Sequence, residues 1–318
     1  MKRKKSKGMI YLEYAGFILL YKLFHAIPFK TGLKISGTLF RMLYVLGGET
    51  RRRTLSHLKH AGVAKSDAEA DALARKCYQE FSKLLVEIVK MDQLYDPAKI
   101  RVSGDPETIR RAISPDGNTP AETNVIVVTA HYGNWEVAGT AFSDKTRRNM
   151  LSIMRSFSNP LIGEKILAHR RSAVHELVDR ASPGAVRALL RALHGGRHAT
   201  LLIDQHAAHQ EGTDTVFFGQ PCKTHKTPAM LHLKTGVPIV PEVTRRIGDD
   251  FRFELEVGPL IEYQPTGDKE HDIQEICQRC TTELEKMIAK QPEQWLWAHR
   301  RWTNINREHH RHRPETAK

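Results

Sequence analysis

Asn124-Val125-Ile126-Val127-Val128-Thr129-Ala130-His131-Tyr132-Gly133-Asn134-Trp135-Glu136 is the stretch on which the fold turns. Its first half is a short β-branched apolar run, the pattern of a strand buried on both faces. Asn134 is a good helix N-cap, and a helical pattern follows it to Phe142. A buried strand feeding straight into a helix is the start of a βαβ unit. The alternation continues outward. Strand-like runs recur at residues 150–154, 200–203, 238–243 and 251–257, with helical patterns at 159–171, 184–193 and 228–235 between them. This order predicts an α/β sheet with helices on both faces.

Upstream, the first hundred residues read as helical. One helix covers residues 31–46 and stops at Gly47-Gly48, and Arg51-Arg52-Arg53 follows. Another starts at Ser66 with Glu69 three residues on, a capping box, and Leu73, Cys77, Phe81, Leu84 and Ile88 then mark one apolar face. Downstream, a last helix over 272–289 precedes an aromatic segment. The polar tail 304–318, with His309, His310 and His312, reads as mobile; three histidines on a basic segment serve charge rather than a metal site.

The N-terminus reads Met1-Lys2-Arg3-Lys4-Lys5, then an apolar stretch over 9–29 that Glu13, Lys22 and His25 interrupt. No uninterrupted run reaches the ~18 apolar residues of a spanning helix. The frequent rings (Tyr11, Tyr14, Phe17, Tyr21, Phe24, Phe29) suit the headgroup level of a bilayer. Residues 1–30 are therefore expected to form a basic leader and an interfacial or partly inserted anchor on a cytoplasmic leaflet. Residues 31–303 form the α/β domain with its N-terminal helices, and 304–318 the tail.

Lysine and arginine number 49 against 36 acidic residues, a formal charge of +13 over 318 residues, which favours an anionic partner. Nucleic acid fits poorly, because zinc-finger spacing, an aromatic RNP signature and a phosphate-cradling glycine loop are all missing. The four cysteines (Cys77, Cys222, Cys277, Cys280) are too few and too irregular for a secreted disulfide framework. Cys277 and Cys280 form a C-x-x-C within a helical pattern with no second pair, so they read as buried helix residues. Nothing calls for a cofactor.

In open α/β sheets ligands lie beyond the carboxyl ends of the strands, where His131 falls. Glu136, in the first turn of the following helix, is expected to reach back to the imidazole. A carboxylate on one ring nitrogen fixes the tautomer and leaves the other nitrogen as a base, able to deprotonate an alcohol.

His131-x-x-x-x-Glu136 resembles the HX4D/E motif of glycerolipid acyltransferases. Four further stretches resemble one branch, the late acyltransferases of lipid A biosynthesis. Arg155 with Asn159-Pro160-Leu161 is similar to its R-x-x-x-NPL segment, with Arg170 eleven residues past the Asn. Leu202-Ile203-Asp204-Gln205 is similar to its PDQ turn. Phe217-Phe218-Gly219 with Thr235-Gly236-Val237-Pro238 is similar to its FFG and TG-x-P elements. Residues 292–302, PEQWLWAHRRW, are close to its C-terminal signature. His206-Ala207-Ala208-His209 and an insertion at 210–214 depart from the pattern.

The resemblance implies a glycerolipid-acyltransferase-like fold, a mixed and largely parallel sheet flanked by helices with an N-terminal membrane-anchoring segment. It implies a fatty acyl thioester donor, acyl-acyl carrier protein or acyl-CoA, and a phosphorylated glycolipid acceptor of the lipid A type, or another glycolipid or amino-acid lipid. The place would be the cytoplasmic face of the bacterial inner membrane. His131 and Glu136 would be catalytic, and Arg155, Asn159, Arg170, Asp204 and Gln205 would bind substrate, with Arg170 a candidate for the oxyanion or a phosphate. Arg300 and Arg301 would be a solvated basic face or contact headgroup or carrier. Phe217 and Phe218 read as core rather than acyl channel.

Overall fold

A computed structural model describes residues 6–170 and 175–303, without the side chains of 167–170. The chain opens with four helices: α1 (Lys7–Ala26), α2 (Phe29–Leu46), α3 (Glu49–His60) and α4 (Asp67–Leu94). Then come β1 (Ile100–Gly104), α5 (Pro106–Ala112), β2 (Ile126–Thr129), α6 (Trp135–Thr146), β3 (Met150–Met154), α7 (Pro160–Arg170), β4 (His175–Asp179), α8 (Ala185–His194) and β5 (His198–Leu202). The hairpin β6 (Gly212–Phe217) and β7 (Gln220–His225) leads into α9 (Thr227–Thr235), β8 (Ile239–Arg246), β9 (Phe253–Val257) and α10 (Lys269–Lys290).

Seven strands form one sheet in the order β1-β9-β8-β2-β5-β3-β4, antiparallel between β8 and β9 and parallel at every other pairing. The mixed, largely parallel α/β expectation holds. The period-two alternation of β2 divides the interior in two. Ile126 and Val128 join a core with residues of α8, α9 and α10. Val125 and Val127 face the other way, against Val137, Ala141 and Phe142 of α6. Near-continuous apolar strands serve both cores, as a parallel sheet covered on both faces requires.

The local signals mostly act as read. Ser66 caps α4 by accepting from the Glu69 N–H at 3.1 Å, although the Glu69 carboxylate accepts from the Lys65 N–H rather than from Ser66. Cys277 and Cys280 are buried thiols on α10. The local sequence pattern gives no sign of α3, β1, α5, β4 or the β6–β7 hairpin. The helix α3 lacks a side-chain cap and has only Leu55 and Leu58 as apolar residues; it is held by packing on α4 and by Arg53 donating to the Ala298 carbonyl at 3.0 Å. The inserted residues near 210 lead directly into the hairpin. The tail histidines His309, His310 and His312 and the basic leader lie outside the described residues.

Among the described residues no helix is long and apolar enough to cross a membrane. Even so, α1 and α2 turn apolar side chains outward: Leu12, Leu19 and Leu23 on α1, and Leu39, Leu43 and Leu46 on α2. Their inner sides pack on α4.

Candidate active site

The register of β2 and β5 builds the centre of the site. Thr129 is paired with Leu202, so two residues further on, past both strand ends, His131 stands beside Asp204. Asp204 Oδ1 is 2.9 Å from His131 Nδ1, while Oδ2 accepts from the His131 N–H at 2.8 Å and from the Trp295 indole N–H at 2.9 Å. The carboxylate is 2% exposed. Burial by itself raises its pKa, but the His131 charge, the two His131 hydrogen bonds and the indole outweigh that and hold it well below the usual carboxylate range. With Nδ1 donating to Asp204, Nε2 is the acceptor nitrogen.

This corrects the expectation about Glu136. The carboxylate on the imidazole is Asp204, one of the residues expected to bind substrate, and it is buried against His131 and Trp295. Glu136 lies in the first turn of α6, its N–H held by the Asn134 side chain at 3.0 Å, and it lines the same cavity as His131. Local spacing puts Glu136 near His131 in sequence; strand register puts Asp204 on its ring in space.

The loop that carries His131 is fixed from outside. Gly133 has φ +53, and a Cβ there would come within 2.1 Å of the Thr244 carbonyl oxygen, so this position admits glycine alone. The Gly133 N–H donates to the Gln294 carbonyl at 3.0 Å, and the Leu296 N–H donates to the His131 carbonyl at 3.0 Å. Beneath it, the buried Arg246 guanidinium donates to the Gly133 carbonyl at 3.2 Å and forms an ion pair with Glu87. Glu87 also accepts from the Asn134 side chain at 3.0 Å. A buried charge is tolerated when paired and fully hydrogen-bonded, as here. Glu87 on α4 and Arg246 on β8 lie far from the motif along the chain, so no local pattern marks them.

The C-terminal signature closes the site. Besides the Trp295 bond to Asp204, the His299 ring centroid is 4.5 Å from that of His131. Burial and the neighbouring His131 and Arg53 lower the His299 pKa to about 4, Asp204 opposing, so at neutral pH it adds no charge against the imidazole. Arg301 is not a solvated face. It is buried, donating to the Thr224 hydroxyl at 2.8 Å and to the Ile203 carbonyl at 3.2 Å, with its guanidinium 4.8 Å from the Phe217 ring centroid. Arg300 is exposed. Phe217 is core, packed against Trp295 and Trp302. Trp295 and His299 were legible only as part of the signature.

The remaining expected residues divide. Gln205 lines the cavity with its amide nitrogen 3.3 Å from His131 Nε2, and Arg155 lines it from an exposed position. Asn159 points elsewhere: it caps α7 through the Leu161 N–H at 3.1 Å and donates to the Ile10 carbonyl at 2.9 Å and the Glu13 carboxylate at 3.0 Å, tying α7 to α1. Arg170 ends α7, and its side chain lies outside the described residues.

His131 lines a cavity of about 700 Å³ bounded by α6, the sheet, and parts of α8 and α9, within the ~300–1,000 Å³ span of ligand pockets. Its walls include Val127, Ala138, Phe142, Met150 and Leu177. Glu242 of β8 also reaches it; burial raises this carboxyl to about 7 despite hydrogen bonds from Thr244 and Thr129. Among the described residues no cluster could hold a metal ion.

A family model described as bacterial lipid A biosynthesis acyltransferase matches residues 2–304. The chain belongs to this family. It is an acyltransferase of lipid A biosynthesis type, acting on a lipid. The family match spans the helical N-terminus, the whole sheet and the C-terminal signature. Comparison with curated proteins gives no match. Among solved structures, a similar one is the 1-acyl-sn-glycerophosphate acyltransferase PlsC of Thermotoga maritima, at 13% identity and a TM-score of 0.31, with 80% of this chain and 95% of that one covered.

Proposed function

We propose that this family member transfers a fatty acyl chain from a thioester, on acyl carrier protein or coenzyme A, to a hydroxyl of a phosphorylated glycolipid of the lipid A precursor type. His131 Nε2 accepts the hydroxyl proton as the oxygen attacks the thioester carbonyl. The tetrahedral intermediate then collapses with loss of the C–S bond, and the leaving thiolate takes the proton back from the imidazolium. Asp204 orients the ring and stabilises its positive form. Glu136 acts on the reactants from the cavity wall, not on Nδ1. For the substrate hydroxyl to reach Nε2, the Gln205 amide must give way or share it.

The observation that carries this reading is the 2.9 Å contact between Asp204 and His131, with His131 lining a large, mostly apolar cavity. That cavity suits the donor's hydrocarbon chain, and Arg155, Arg180 and Lys226 on its wall suit anionic groups of the donor or acceptor. The outward apolar residues of α1 and α2, with Lys22, Lys30 and Arg41 on the same helices, support seating on an anionic membrane at the cytoplasmic face of the bacterial inner membrane. The test is transfer of a labelled acyl group from acyl-acyl carrier protein or acyl-CoA to lipid A precursors and other glycolipids, with products identified by mass. Wild-type transfer that His131→Ala abolishes is the expected result; His131→Ala turning over at near wild-type rate refutes the assignment.

A further inference from the structure

A second cavity of about 250 Å³ is bordered by Gly133 and Trp295, close neighbours of His131 and Asp204. Phe40 and Leu43 of α2, Tyr78 and Phe81 of α4, and Leu296 and Trp297 of the C-terminal segment are on its wall. It is close to the chemistry. Phe81 stacks on Trp135 with ring centroids 6.1 Å apart, and the Trp135 ring meets the His131 ring edge-on at 5.1 Å. Gly133 and Trp295, which flank the base, border both the loop and this cavity. Of the charged groups on the wall, Glu80 is paired with Arg246 at 2.9 Å, and Glu293 is half-buried beside them.

Leu43 belongs to this wall and also to the outward apolar stripe of α2, where Leu39, Leu43 and Leu46 recur at helical spacing. The cavity is thus continuous with the apolar surface of the helix. Arg41 and Arg52, exposed on α2 and α3, and Arg300, exposed beyond Ala298, bring positive charge to the same region. An apolar slot that opens onto an apolar helix face, with cations nearby, fits one hydrocarbon chain of an anionic lipid arriving sideways from a bilayer. A soluble peptide partner would not need a slot this narrow, nor one that ends two rings from a catalytic imidazole.

We infer that this second cavity between α2, α4 and the 293–298 segment holds a hydrocarbon chain of the membrane-lipid acceptor, while the donor chain occupies the larger cavity. The inference rests on the acyl-transfer reading for the roles of the two chains. The two cavities then hold the two lipids near His131, so the acceptor hydroxyl and the thioester carbonyl meet at Nε2. A rim substitution that displaces about two methylenes of the chain from the slot costs the acceptor about tenfold in affinity.

Two measurements on the full chain test this. Protein bound to phosphatidylglycerol vesicles that carry a diazirine at one chain end is irradiated and digested. Labelling of peptides containing Leu43, Tyr78 or Phe81, reduced in Leu43→Arg, is expected; labelling confined to α1 or to the larger cavity overturns the inference. Separately, Leu43→Arg and Thr50→Trp, at exposed positions on the rim, are assayed with an acylated acceptor and its deacylated counterpart. KM for the acylated acceptor should rise about tenfold, with KM for the deacylated one and for the thioester unchanged. Equal effects on both acceptors, no effect, or a rise in thioester KM overturns it. If the wild type transfers to no acceptor, the acyl-transfer reading falls, and the photolabelling still decides whether a lipid chain occupies the slot.

Discussion

Asp204→Asn separates catalysis from folding at this site. The carboxylate accepts from three donors: His131 Nδ1, the His131 N–H and the Trp295 indole. An asparagine can keep its oxygen where Oδ2 lies and still accept from the backbone and the indole. Its NH2 then faces Nδ1 and forces that nitrogen to accept, so the proton moves to Nε2 and the base is lost. The folded state keeps its buried donors satisfied and loses only the charge-assisted part of these bonds, about 1–2 kcal/mol. Loss of an oriented general base is worth about 10³–10⁴ in kcat, equivalent to about 4–5.5 kcal/mol of barrier. Asp204→Ala would instead leave all three donors without their acceptor, at about 1–3 kcal/mol for each that stays buried, and blur the result. The assay is kcat for acyl transfer beside urea unfolding of the same preparations. Because the folded pKa of Asp204 is depressed, its stabilisation is present above the unfolded value near 3.8 and is lost only as pH falls through the lower folded value. The stability gap between wild type and Asp204→Asn should therefore persist at pH 5 and narrow only under about pH 4. Near wild-type kcat in a folded Asp204→Asn protein would refute the pairing. So would Glu136→Gln losing as much activity as His131→Ala while Asp204→Asn loses little; the expected order has Glu136→Gln retaining at least about tenfold more activity than Asp204→Asn.

Gly133→Ala should lower stability by at least ~2 kcal/mol and reduce activity with it, since the left-handed backbone and the approach of Thr244 act together; urea unfolding measures the first and turnover the second. Gly139→Ala adds a Cβ 2.6 Å from His175 Cε1 on the wall of the larger cavity, so kcat/KM across a ladder of thioester chain lengths should shift toward shorter chains. Burial lowers His57, His225 and His299 to about 4 and His198 to about 3 from 6.5. The unfolded chain therefore takes up protons that the folded one refuses, and stability should fall as pH drops from 6.5 toward 4, with up to four protons in the slope; a flat unfolding free energy over that window would contradict it.

The residues near one another in sequence settled much of this protein. The β-branched run before His131, the Asn134 cap and the alternation that follows state an α/β sheet, because strand burial and helix capping are local chemistry. Ser66 and the apolar face that includes Cys77 and Phe81 do the same for α4. The elements that escaped are those held by tertiary contact: α3 leans on α4 and the C-terminal segment, and β4 gains its place by pairing with β3. The site divides in the same way. His131 was legible from its place at a strand end. Its carboxylate was not, since Glu136 is five residues away along the chain while Asp204 is 73 away and is brought alongside by the parallel register of β2 and β5. Helix geometry carries Glu136 to the cavity wall, and hydrogen bonding across the sheet, which no local pattern encodes, decides which acid holds the imidazole.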